Sequence, residues 1–373
     1  MNSQNIESPK IMKESKNKIK VDFERSPLAD RLKAKFLSMS FLGNTIWYIF
    51  RLILLIGIAY VVLFPFFTKI AGSFMPQEDF INVTVRLIPT RLTLDTYKAI
   101  FLELNYVQAF LNTLLLSGST AIIQTLICCI IGYGLAKFKF RGNNIVFLIV
   151  ILTMIIPHQT LQLSLFMNFR YFDLFGIFKF LSGGLEVGIE WIDEILANVH
   201  VLGEVNKKGV WEGLFADGVP LTNTYWPMII LSLTGLGFKN GLYIFLLRQF
   251  FRGVPDELEE SAYIDGSGVF RTFVQIILPL SIPMMITVFL FAFSWQWTDD
   301  FYTTVFFTTQ KTVLMPDIVD IPTSLQTTYA GQNLYYSAIR NTCGIMIIAP
   351  LVIMYLFCQK YLVQGIERSG ITG

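Results

Sequence analysis

Six stretches of this chain, at about 47–72, 107–136, 144–166, 225–250, 280–306 and 337–361, are each apolar for long enough to supply the roughly 20 residues that a helix needs to cross a bilayer. That feature limits the fold more than any other, because a backbone in lipid must satisfy its own hydrogen bonds and does so here as helices. Composition supports it: 53% of the 373 residues are hydrophobic and only 15% are charged. The expected fold class is therefore an all-α integral membrane protein with about six transmembrane helices. A formal net charge of +2 gives no reason to expect a nucleic-acid partner. The four cysteines, Cys128, Cys129, Cys343 and Cys358, all fall in apolar runs without metal-ligand spacing and read as buried, inert thiols.

The placement of Lys and Arg sets the expected topology. Residues 1–45 carry Lys10, Lys13, Lys16, Lys18, Lys20, Arg25, Arg31, Lys33 and Lys35 and read as a mostly disordered cytoplasmic tail ahead of the transmembrane domain, 46–373. The polar leader is too long for a cleaved signal peptide. The loop after the second stretch holds Lys137, Lys139 and Arg141 and no acid, so the positive-inside rule puts it in the cytoplasm with the N-terminus. Alternation then places 252–279 and the C-terminus on that side as well. Two outer segments are long, about 70–106 and 167–224. The second is acidic, includes an insertion at about 178–220, and has room for its own helix or hairpin.

Between the fourth and fifth apolar stretches lies a mostly hydrophilic segment, PDELEESAYIDGSGVFRTFVQIILP, from Pro255 to Pro279. Pro255 suits a first helical turn, Asp256 and Glu257 favour the positive end of a helix dipole, and Gly266 can take the left-handed conformation that ends a helix. The expectation is a short helix over 255–265, with Leu258, Ser261, Ala262 and Asp265 on one face and small side chains there admitting a partner closely. A second helix is expected from near Ser267, with Val269, Phe270, Phe273, Val274 and Ile277 as a stripe against the fourth and fifth spans and Pro279 marking the bend into the fifth.

These residues also fit the signature EAA-x3-G-x9-I-x-LP through Glu260, Ser261, Ala262, Gly266, Ile276, Leu278 and Pro279, with Ser261 in place of the first alanine. The segment resembles the cytoplasmic coupling loop of permease subunits of ATP-binding cassette importers. The segments TRLTLDTYKAIF, AFLNTLLLS, GYGLAKFKFRG, ILTMIIP, LLRQFFRGVPDELEE, SWQWTDDF and KYLVQGIERSGITG are similar to the carbohydrate-uptake branch of that family, and to the smaller-type partner of its permease pair. The resemblance implies the importer type I permease fold, in a bacterial-type plasma (inner) membrane. It implies as partners a second permease subunit, two ATPase subunits and an extracytoplasmic substrate-binding protein, besides membrane lipid. It implies Glu259, Glu260, Ser261, Ala262, Asp265, Gly266 and Gly268 as the coupling residues. This chain has no Walker-type glycine loop, so ATP and Mg are expected on the partner ATPases and no cofactor on this chain. The N-terminal tail and the segment at about 178–220 exceed the usual family lengths.

Polar side chains inside apolar runs are the remaining candidates, since they are costly in lipid unless they face a cavity or partner. Lys239 and Asn240 follow Gly235 and Gly237 in LTGLGFKNG, where interrupted helix and polar groups together mark a pathway or a snorkelling lysine. Asn112 polarises the second span, and His158 and Gln159 the outer half of the third. Asp299 and Asp300 close the fifth beside Trp295 and Trp297, whose simplest role is interfacial anchoring, with the carboxylates free to meet sugar hydroxyls or close a gate. The signature reports coupling rather than cargo, which leaves a sugar, a phosphorylated polyol or another small polar solute open. A secondary transporter would need inverted repeats or buried paired carboxylates, and neither is visible. No nucleophile beside a base supports an enzyme.

Overall fold

The computed structural model describes residues 39–82, 84–173, 203–205, 211–213, 219–309, 312–328 and 332–368. The expectations for residues 1–38 and for most of the insertion lie outside the described residues. Within the insertion, Gly203–Val205 (β1) and Trp211–Gly213 (β2) form an antiparallel ladder, and Phe172 pairs with Val219 at its base.

Two compact units divide the chain, 1–67 and 68–373. The first contributes most of α1 (Met39–Ser73). In the second, α2 (Asp95–Glu103) precedes α3 (Tyr106–Lys137), the helix about which the unit is arranged. One side of α3 packs on α7 (Asn240–Arg252) and α10 (Leu278–Trp297), and α10 packs in turn on α12 (Gln332–Arg368). The opposite side leaves Leu111, Leu115, Ile122, Leu126 and Ile130 exposed, a continuous apolar face of the kind lipid solvates.

Helices meet closely where glycine removes the side chain. A Cβ at Gly132 of α3 would stand 2.9 Å from Leu247 Cβ, and one at Gly241 of α7 would stand 2.5 Å from Thr153 Oγ1 of α4 (Asn143–Ile155). Backbones approach there as they do at small-residue crossings in membranes, where dispersion replaces the hydrophobic effect between helices.

Among the described residues four helical segments are long and apolar enough to cross a membrane, and the other two expected spans are broken. The third is not one helix: α4 and the segment His158–Arg170, whose second part is α5 (Gln162–Arg170), are bent by 96°. Pro157 sits at the bend, where it can neither donate a hydrogen bond nor extend a helix behind it. The fourth is split into α6 (Trp226–Leu233) and α7, with 234–239 irregular between them.

The fifth departs from expectation at both ends. Pro279 does not mark a bend. A continuous span runs Val269–Trp297 through α9 (Val269–Thr272), a π-helical turn (Phe273–Ile277) and α10. The widened turn immediately before Pro279 lets the ladder run past a residue with no N–H to donate. At the other end the span stops at Trp297 rather than 306, and Phe301–Phe306 is a separate helix, α11. Trp297 is not an interfacial anchor either: it is fully buried, its ring 5.4 Å from that of Phe293, and its indole N–H donates to the Ile347 carbonyl at 2.9 Å.

Candidate functional site

Two constellations stand out, one in the loop 252–279 and one at the break between α6 and α7. In the loop, α8 covers Glu257–Ile264, slightly inside the expected limits. It ends in a Schellman arrangement: Ser267 N–H donates to Ala262 O at 2.9 Å and Gly266 N–H to Tyr263 O at 3.0 Å, with Gly266 left-handed at φ +81°. Only glycine takes that conformation without crowding a β-carbon. Gly268 is extended and starts α9.

The inner side of α8 is fastened to the last turn of α3. Tyr133 Oη donates to Glu259 Oε1 at 2.5 Å, and Lys137 Nζ lies 3.2 Å from Glu259 Oε2. Lys137 also donates to the Val254 carbonyl at 2.7 Å and to Asp256 Oδ1 at 2.5 Å. Tyr133 and Lys137, four residues apart, share one helix face and so reach the same carboxylate. Glu259 and the Lys137 side chain are both buried, and the charges are tolerable because each is paired and hydrogen-bonded. The hydrogen bond from Lys137 and its charge hold the exposed Asp256 carboxyl below the usual range.

This arrangement divides the face expected on α8. Ala262 is buried against the chain's own body, whereas Leu258, Glu260, Ser261 and Asp265 remain exposed. Ser261 spends its hydroxyl on the Glu257 carbonyl at 2.7 Å, so its outer surface differs little from alanine's. The apolar stripe divides too. Phe273 packs on Tyr133, with ring centroids 4.7 Å apart, and Ile277 is fully buried, but Phe270 is 80% exposed and Ile264 on α8 is 86% exposed. The loop thus exposes Ile264, one helical turn after Glu260, and Phe270, on a base that is paired internally.

The second constellation surrounds a cavity of about 300 Å³. Lys239 takes left-handed backbone, φ +63°, where α7 begins, and its ammonium lies 4.9 Å from the Trp295 ring centroid and 5.2 Å from that of Phe238. His158 stacks at 5.1 Å from Phe238 and 6.2 Å from Tyr302. Asn240, almost wholly buried, lines the same space with neither amide group hydrogen-bonded. Gly237 packs closely over that amide: a Cβ there would stand 2.9 Å from Gln124 Nε2 and 3.2 Å from Asn240 Nδ2.

Of the pathway candidates, Lys239, Asn240 and His158 meet here and the other four do not. Asp299 is buried and accepts from the N–H groups of Tyr302 at 3.0 Å and Thr303 at 3.2 Å, capping the start of α11. Asp300 is exposed. Asn112 donates to the Val313 carbonyl at 3.0 Å and, with Thr113, which accepts from Met315 N–H at 2.8 Å, ties the loop at 313–315 to α3. Gln159 is exposed in a separate open cleft beside Thr304 and Thr308.

Sequence reasoning missed the work of Tyr133, Lys137, Phe238 and Tyr302. In the sequence Lys137 marks topology, and the signal that pairs it with Glu259 is a Tyr and a Lys four apart at the end of a span, with an acidic loop elsewhere on the expected cytoplasmic side.

A family model described as "Binding-protein-dependent transport system inner membrane component" matches residues 129–368. The arabinooligosaccharides transport system permease protein AraQ of Halalkalibacterium halodurans is 25% identical over 319 residues, covering 85% of this chain and 93% of that protein. The galactooligosaccharides transport system permease protein GanQ of Bacillus subtilis is 25% identical over 333 residues, covering 87% and 95%. The chain also resembles one solved chain of a bacterial ABC transporter involved in the import of the acidic polysaccharide alginate. That match has a TM-score of 0.58, 17% identity, and coverage of 86% of this chain and 97% of the other, a likeness of fold.

Proposed function

This chain belongs to the inner membrane components of binding-protein-dependent transport systems, and from that premise we propose that it is a permease subunit of an ATP-driven sugar importer. It supplies half of the translocation pathway, beside a second, different permease subunit. Two ATPase subunits bind and hydrolyse ATP with Mg, and a substrate-binding protein outside delivers the sugar. AraQ and GanQ are permease proteins of arabinooligosaccharide and galactooligosaccharide transport systems, which supports a saccharide as the solute.

The observation that carries the coupling role is the loop. Glu259 is spent on Tyr133 and Lys137, so α8 is fixed to α3 while Glu260, Ile264 and Phe270 face outward. A surface that is apolar, charged at its edge and rigidly backed is what a partner needs in order to push on the membrane helices. With both termini and this loop in the cytoplasm, closure of the ATPases moves α8, and α3 moves with it.

The test is reconstitution of the full importer in vesicles. Glu260→Lys or Gly266→Asp abolishes uptake and binding-protein-stimulated ATP hydrolysis while the chain still inserts. Normal uptake in either variant sinks the coupling assignment, as does ATP turnover by the purified chain without its ATPase partners.

A further inference from the structure

Among the described residues Lys239 has no carboxylate within ion-pair distance. Its ammonium has two aromatic faces instead, Trp295 and Phe238. Asp299, the buried carboxylate on the neighbouring loop, is committed to the N–H groups of Tyr302 and Thr303. A lysine inside a helical membrane domain is costly unless something compensates its charge, and ring faces do so only in part. Lys239 also holds a left-handed conformation that a residue with a β-carbon adopts at a cost, the kind of strain that persists where surrounding structure enforces it at functional positions.

The rest of the cavity offers rings rather than a counter-charge. Trp295 forms an aromatic wall, and Tyr302 and His158 line the space as well. The volume, about 300 Å³, falls at the small end of ligand pockets and admits a single sugar unit at a time.

We infer that the cavity at the α6–α7 break is a solute subsite for a saccharide unit bearing one anionic group, with Lys239 receiving the anion and Trp295 facing the sugar ring. This rests on the importer reading and narrows its cargo to acidic sugars. A carboxylate and a phosphate ester share the chemistry Lys239 recognises, and the experiment distinguishes them.

The full chain in lipid nanodiscs is titrated calorimetrically with glucuronic acid, glucose 6-phosphate and glucose. One or both anionic sugars bind at least about tenfold tighter than glucose, the scale of a single charge-assisted hydrogen bond, and the tighter of the two identifies carboxylate or phosphate. Lys239→Met removes the preference and Lys239→Arg keeps it. Equal binding of the three sugars, binding of none, or a preference that survives Lys239→Met overturns the inference. The wild-type comparison decides by itself, so a Lys239→Met chain that fails to insert does not remove the test. If Glu260→Lys uncouples the importer and no anion preference exists, the subsite is wrong and the importer reading stands. Normal uptake with Glu260→Lys sinks the coupling assignment, and no ATP-driven sugar uptake by the reconstituted wild-type importer sinks the importer reading, whatever the sugar titration shows.

Discussion

At the scale of single residues, Lys137 is the busiest side chain in the loop region, meeting Val254, Asp256 and Glu259 at once. Lys137→Met leaves the Glu259 carboxylate buried without its cation, a change that costs about 3–5 kcal/mol where a buried pair is broken. Thermal unfolding of the purified chain in nanodiscs reads this loss. The double variant Lys137→Met with Glu259→Leu restores most of it, because the stranded charge is gone. Tyr133→Phe removes one hydrogen bond to a charged group and costs about 1.5–3 kcal/mol. A Lys137→Met chain as stable as wild type would show that the pairing to Glu259 contributes nothing.

Among the elements, the crossing of α7 on α4 depends on Gly241, whose added Cβ would also meet the Val150 carbonyl at 3.0 Å. Gly241→Ala therefore forces the helices apart and destabilises by about 1–3 kcal/mol. Gly118 on α3 has nothing within 4 Å of an added Cβ, so Gly118→Ala is neutral or gains up to about 1 kcal/mol from helix propensity. Thermal midpoints of the two variants, compared side by side, check the packing; equal shifts contradict it. Elements whose cause is local were legible in the sequence: the apolar lengths of α3 and α12, the helix end at Gly266, and the weakness of the helix around Gly235. What the sequence left hidden depended on partners far along the chain. Tyr133 and Glu259 are 126 residues apart, and Trp295 reaches Lys239 from a different span. The acids of the loop could be assigned an inward or outward role only once α3 lay beside them. Pro279 misled for a related reason, since proline signals a missing donor but a π-helical turn can absorb it without a bend.

For the molecule as a whole, the positive-inside reading places Lys139 and the loop at Glu260 on one side of the membrane and the ladder at Gly203–Val205 on the other. Single cysteines introduced at Glu260 and Glu204 into a chain freed of native cysteines react with an impermeant maleimide from opposite faces of sealed vesicles. Reaction of both from the same face overturns the topology. Deleting 180–218 then slows binding-protein-stimulated uptake without preventing insertion. The unbroken span Val269–Trp297 has a mechanical meaning beyond its length. It begins in the loop, beside the exposed Phe270, and carries Trp295, one wall of the cavity, at its far end. It is a rod about 40 Å long, at about 1.5 Å per residue. In the proposed importer a tilt imposed at Phe270 reaches Trp295 without crossing a joint between separate helices, so the proposed cargo subsite and the proposed motor contact share one rod.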